Sequence, residues 1–232
     1  MLLKIKKEIN LLKNIAQAQA LQRFFKTREG EYGEGDIFLG VKVPVQRKIV
    51  SKYWKNIQIS DVQKLLNSKI HEYRLIALLI LVRKYTKGDT REKQKIYNMY
   101  LKNTKNINNW DLVDLSAPDI VGNYLLNKKS NTLYKLAKSK NLWERRIAVL
   151  STFSFIRENK FTNTLKISKI LLYDKHDLIH KVVGWMLREV GKRDQKLEED
   201  FLNKYYKTMP RVMLRYAIER FSDKKRKYYL AK

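Results

Sequence analysis

The chain has no cysteine, so disulfides, thiolate nucleophiles and Cys-based metal sites are excluded. Histidine is nearly as scarce: the three are His71, His176 and His180. His176 and His180 stand four residues apart, but no glutamate accompanies them in a zincin arrangement, and no metal is expected. Only 8 glycines and 3 prolines punctuate 232 residues. That scarcity disfavours a turn-rich sheet fold and favours long helices with short connections. Long apolar runs are missing too. The longest, Leu75 to Val82, is too short to span a bilayer. The N-terminal residues Met1 to Glu8 interrupt their apolar side chains with charge and lack the core of a signal peptide. A soluble, cytoplasmic protein is expected, with no membrane partner.

Acid is the last deficit. Asp and Glu total 23 against 50 Lys and Arg, a formal net charge of +27. An excess of that size predicts strong, salt-sensitive attraction to a polyanion, with nucleic acid the first candidate and an anionic membrane surface the second. Abundant Lys, Asn, Ile and Tyr, as in AT-rich coding DNA, account for a share of the lysines. Hydrophobic residues at 44% fit a globular chain rather than a disordered one.

What is present reads as helix throughout. Leu2, Ile5 and Ile9, then Leu21, Phe24 and Phe25, keep helical spacing over two helices from Leu2 to about Thr27. Residues 28–36 form a connection with Gly30, Gly33 and Gly35. Its glycines suggest a phosphate loop, but no Gly-Lys-Ser/Thr ending and no preceding strand are present, so a mobile or tightly turned loop is expected. Pro44 suits the first turn of a helix through Val45, Ile49, Val50 and Tyr53. Ser60 is placed to start the next, with Asp61 in its first turn and Val62, Leu65 and Leu66 along its apolar edge. The basic tail from Lys224 to Leu230 reads as a helix end or a frayed terminus.

From there a rhythm sets in. Apolar segments centred on Tyr73–Leu79, Trp110–Val121, Trp143–Val149, His180–Trp185 and Pro210–Ala217 recur every ~30 to 40 residues, the span of one helical hairpin repeat. The expected fold is an all-α α-solenoid of HEAT-like hairpins, a single domain over residues 1–232, with a concave basic groove. Basic residues open four of the five segments. Arg74, Arg145 or Arg146, Lys181 and Arg211 would then line one surface at helix N-termini, where phosphate is favoured. Cations oppose the dipole there, so a bound polyanion is the expected reason for them.

The candidate chemistry lies in Trp110 and Asp114. Four residues apart on a helix, they share a face and present a flat indole and an anion to one partner. With Arg146 and Trp185 they would form a cluster suited to a flat cationic group. Asp119 does not share that face and reads as structural or solvated.

At these residues the sequence resembles the AlkD family of DNA alkylation repair proteins, the HEAT-like-repeat DNA glycosylases. The carrying segments are Arg23 to Thr27, Gly33 to Pro44, Asn109 to Gly122, Trp143 to Arg146, Gly184 to Glu189 and Lys207 to Arg211. They keep their order over almost the whole chain. The resemblance implies hydrolysis of the N-glycosidic bond of cationic N3- and N7-alkylpurines in double-stranded DNA, with the lesion left stacked. It assigns catalysis to Trp110, Asp114 and Trp185 and a DNA contact to Arg146; Arg145, Arg74, Lys42, Lys181, Arg188 and Arg211 are the further cations expected to bind DNA. No cofactor is expected and a monomer is; with no signal for a Schiff-base lysine, the enzyme is expected to lack lyase activity. Asn109 stands where a second aromatic can precede the tryptophan, and Phe24 where some relatives have Tyr. The alternative is a non-catalytic HEAT-like protein that binds damaged or branched DNA.

Overall fold

A computed structural model of the protein describes residues 1–231, and among these no strand is formed beyond one isolated bridge. The all-α class expected from the sequence is the class observed. The chain divides into two compact units, residues 1–116 and 117–232.

The first unit contains α1 (Leu2–Leu11), α2 (Ile15–Phe24), α3 (Val43–Tyr53), α4 (Ile59–Leu66), α5 (His71–Lys87), α6 (Thr90–Lys102) and α7 (Trp110–Asp114). Helix α5 is its centre and packs on α3, α4, α6 and α7. The apolar run Leu75–Val82 lies inside it. Residues from His71 to Leu81 are all buried, as befits a helix that is covered all round. Ile5 and Ile9 fix α1 with fully buried side chains. Pro44 lies in the first turn of α3, where its missing N–H costs nothing. Helix α4 begins at Ile59, one residue before the expected Ser60, on a Gln58 that offers no side-chain cap. A capping box of Asp89 and Glu92 starts α6.

The second unit opens with one π-helical turn, Pro118–Gly122, followed by α8 (Asn123–Leu125). Then come α9 (Asn131–Ala137), α10 (Leu142–Arg157), α11 (Thr162–Ile170), α12 (Asp177–Gly191), α13 (Gln195–Tyr205), α14 (Arg211–Ala217) and α15 (Asp223–Leu230). Each long helix packs on its sequence neighbours and on the helix two further along: α10 on α9, α11 and α12, and α12 on α11, α13 and α14. Such near-neighbour packing is what stacked helical hairpins produce. At Gly184 a Cβ would lie 2.3 Å from the Met213 carbonyl oxygen, so α12 and α14 approach as closely as only glycine allows. The basic tail is helical, capped by Ser222 and anchored by the buried Tyr229.

The segment expected as one helix from Trp110 to Val121 is broken. Helix α7 ends at Asp114, and Pro118 begins the π-helical turn. Proline lacks the N–H that a continuing α-helix would need, and its ring collides with the carbonyl four residues back.

Candidate active site and nucleic-acid contacts

Helix α7 has only five residues, and a helix that short does not hold itself. Its start is fixed by Asn109, the residue before it, and by Asp36 of the segment between α2 and α3. Asn109 is fully buried; its Oδ1 accepts from the Trp110 amide at 2.8 Å and its Nδ2 donates to Asp36 at 3.3 Å. A small amide thus does at this position what an aromatic could not.

Asp36 is the hub. Its Oδ1 accepts from the Arg74 guanidinium at 2.5 Å and its Oδ2 faces His71 Nδ1 at 2.9 Å. The other ring nitrogen, Nε2, stands 2.9 Å from Asp111 Oδ2. Asp36, His71, Arg74 and Asp111 are all buried. Carboxylates only accept, so an imidazole bonded to one at each nitrogen donates twice and is an imidazolium. Two anions are then balanced by two cations. Burial alone would push His71 down, but the Asp111 and Asp36 carboxylates outweigh it and push the group up to about 9. Burial likewise works to raise Asp36, and the bonds and charges of His71 and Arg74 overcome it and hold the carboxyl below its ordinary range.

The rest of the segment between α2 and α3 is clamped as firmly. Glu72 is buried and accepts from the amides of Leu39, Gly40 and Val41 at 2.8 to 3.2 Å. Gly40 has φ +84°, and a Cβ there would lie 2.1 Å from the Asn14 carbonyl oxygen. Ile37 makes a parallel bridge with Ile70. In the preceding loop, the Glu31 and Glu34 carboxylates accept from the amides of Arg28 and Gly30. Those amides serve the loop itself, which accords with the tightly turned loop expected in place of a phosphate cradle.

Trp110 is half-buried at one end of an aromatic column. Its ring stacks on Phe25 at 4.9 Å, Phe25 on Phe38 at 5.0 Å, and Phe38 on His71 at 4.4 Å. The exposed Phe24 meets Trp110 edge-on at 5.7 Å. Asp114, one turn after Trp110, is also half-buried.

In the second unit, Trp185 is half-buried on α12. Its Nε1–H donates to Glu189 at 3.1 Å, and Phe153 lies 6.2 Å away, ring to ring. Glu189 also pairs with Lys192 at 2.6 Å and Arg188 at 3.7 Å. Trp143 is buried in α10 and serves the core.

The cations expected to line a phosphate surface fare unevenly. Arg74 is 3% exposed and committed to Asp36 and the Ser68 carbonyl, so the expected surface contact is instead an internal ion pair. Arg145 donates to Asp174 at 2.6 Å and to the carbonyls of Ser139 and Lys140. Arg146 is buried and donates to the Leu178 carbonyl at 2.8 Å. Arg188 pairs with Glu219 and Glu189. Arg211 is exposed and donates to the Leu230 carbonyl at 2.6 Å, Lys181 pairs with Asp177 at 2.6 Å across one helical turn, and Lys42 is exposed at the start of α3.

A pattern explains much of this. Arg74 reaches Ser68, Arg145 reaches Ser139 and His180 reaches Asp174, in each case the backbone oxygen six residues back. Each oxygen belongs to the turn between two helices of a hairpin. The side chain near the start of the second helix staples the turn that led into it. Carbonyl partners give these groups a place at helix N-termini without a polyanion. His176 caps α12, its Nδ1 accepting from the Leu178 amide at 3.1 Å.

The Asp36–His71–Asp111 network was not anticipated from sequence. The available signal was Asp111 itself, an acid followed by the apolar Leu112 and Val113 that fold inward. A buried acid needs a partner.

The family model for DNA alkylation repair enzymes matches residues 5–221. Among solved structures, a predicted DNA alkylation repair enzyme from Enterococcus faecalis superposes with a TM-score of 0.70 at 15% identity, covering 91% of this chain and 97% of that one. That likeness is one of fold. No curated protein sequence matches the chain.

Proposed function

The chain belongs to the family of DNA alkylation repair enzymes and has a role in DNA repair, and we propose that it is a monofunctional glycosylase that hydrolyses the N-glycosidic bond of N3- and N7-alkylpurines in duplex DNA. The observation that carries this is the pair Trp110 and Asp114 on one turn of α7, both half-buried, on a helix pinned from below by buried groups. An alkylated purine is already cationic and leaves without a strong general acid. What needs stabilising is the positive charge that develops on the deoxyribose. Asp114 supplies a fixed negative charge for it and orients the attacking water. The Trp110 indole offers its π face to the cation, and Trp185, within the family motif Gly184 to Glu189, is assigned the same task. No base need leave the stack for this chemistry. Lys42, Lys181 and Arg211 are the cations we assign to the DNA backbone.

The test is release of free methylpurine from methylated duplex DNA by the pure protein. Asp114→Asn should lower single-turnover release by at least ~100-fold, the scale of removing one electrostatic stabiliser, while duplex binding is retained. Binding without release at high protein concentration would overturn the enzymatic reading in favour of a non-catalytic DNA-binding protein.

A further inference from the structure

We propose that His71 is a positioning residue: as the bridge between Asp36 and Asp111 it sets the orientation of α7, and through it the placement of Trp110 and Asp114. The proposal rests on the glycosylase reading for its effect on rate, but the placement itself stands on geometry. Two routes run from His71 to Trp110. One is polar. His71 Nε2–H holds Asp111 Oδ2 at 2.9 Å, and Asp111 is the residue after Trp110. The other Asp111 oxygen accepts from the Leu112 amide at 2.8 Å, so the carboxylate is tied both to the helix and to its support. The second route is aromatic. His71 stacks on Phe38, Phe38 on Phe25 and Phe25 on Trp110, with interplanar angles of 22°, 20° and 17°. The two routes reach Trp110 from its backbone and from its ring.

This arrangement exceeds what stability alone asks of a buried histidine. A buried ionic cluster is seldom better for stability than apolar packing of the same volume, and its best-attested use is to fix one geometry. Here the cluster sits under the shortest α-helix of the first unit, and that helix carries the candidate chemistry. A catalytic group displaced by about 1 Å loses up to roughly 100-fold in rate, so fixing α7 has a large return.

The groups facing His71 are Asp36 from the segment before α3 and Asp111 from α7, with Arg74 of α5 and the neutral Asn109 both bonded to Asp36. Glu72 of α5 is turned to the amides of Leu39 to Val41 instead. Loss of one proton from His71 removes one of its two donor bonds and leaves two carboxylates against the single charge of Arg74. Whichever bond goes, the bridge from Asp36 to Asp111 is broken. Since the imidazolium persists to about pH 9, the loosening is expected on the alkaline side.

The experiment uses the full chain labelled with fluorotryptophan, whose four resonances are assigned by single Trp→Phe substitutions. In His71→Gln the Trp110 resonance should shift or broaden while that of Trp54 stays in place. Single-turnover base release should fall roughly 10- to 100-fold with duplex affinity unchanged. In the unsubstituted protein the Trp110 signal and the release rate should change together as pH passes about 9, and His71→Gln should lack that alkaline limb. Asp111→Asn breaks the same contact from the other side and serves if His71→Gln fails to fold. An unmoved Trp110 signal with a full rate overturns the proposal. So does a change that moves the Trp54 and Trp110 signals alike, which marks general destabilisation. If the protein releases no base, yet Trp110 follows His71, the glycosylase reading fails and the positioning role stands.

Discussion

Trp110 and Trp185 are mounted in opposite ways. Trp110 stands on a five-residue helix whose place is dictated by a buried cluster beneath it. Trp185 stands in the middle of a fifteen-residue helix that packs on four others, α10, α11, α13 and α14, with one hydrogen bond to Glu189 to set its ring. A long helix carries a side chain to its place by regular packing. A short one must be pinned. The first unit therefore places its candidate residues with buried charge, and the second with close backbone approach at Gly184.

The largest effect should come from the first mounting. Asp36→Asn removes one anion and leaves Arg74 and His71 short of a partner, at a cost of about 3–5 kcal/mol for a broken buried pair. Chemical denaturation reads this directly, and an unchanged midpoint would show that the cluster does not hold the unit together. The matching break in the second unit is Gly184→Ala, whose Cβ meets the Met213 carbonyl. A loss of ~1–3 kcal/mol is expected from overpacking. If that variant is neutral, α12 and α14 adjust more freely than their contact suggests.

Alkaline pH should separate the units more gently. His71 has a folded value of about 9 against an ordinary 6.5, so its contribution is complete below pH 6.5 and disappears as pH rises through about 9. In the second unit, burial first and then the neighbouring Glu199 raise Glu198 to about 9 from 4.5, against the pull of Arg188. Its contribution is therefore complete only below pH 4.5 and declines across the whole range up to about 9. Glu198→Gln cannot ionise when unfolded, so it should raise Tm at pH 7 relative to the parent and raise it further at pH 8. A Tm gain that does not grow with pH would contradict this. The smallest change is expected for Glu189→Gln. Its ion pairs lie near the surface, and a stability change under ~1 kcal/mol should accompany a shift of the Trp185 fluorine resonance. A large loss of stability would mean that Trp185 is pinned after all.

Helices with strong periodicity were legible in the sequence, because Ile5, Ile9, Val62, Leu65 and Leu66 declare an inward face through local spacing alone. Pro44 was legible from its fit to a first helical turn, whereas the basic tail, expected as a helix end or a frayed terminus, is helical. The break after Asp114 was signalled by Pro118 but overridden by the apolar pattern around it. Arg74 could not be read correctly from its neighbourhood. A cation in the first turns of a helix looks the same whether it meets phosphate or a carbonyl, and its carboxylate partner lies 38 residues away in sequence. His71 was missed for a related reason. Its partners are 35 and 40 residues distant, and no fixed motif spaces them.

Those separations bear on how the protein assembles. The staples from Arg74 to Ser68, Arg145 to Ser139 and His180 to Asp174 each span six residues, so a hairpin closes them as soon as its turn forms. The bonds of His71 must wait for chain segments dozens of residues apart, and loop closure over such spans comes later and more slowly. On this account the hairpins form first and the support of Trp110 last. Pulsed hydrogen exchange during refolding should protect the amides of α10 before those of α7.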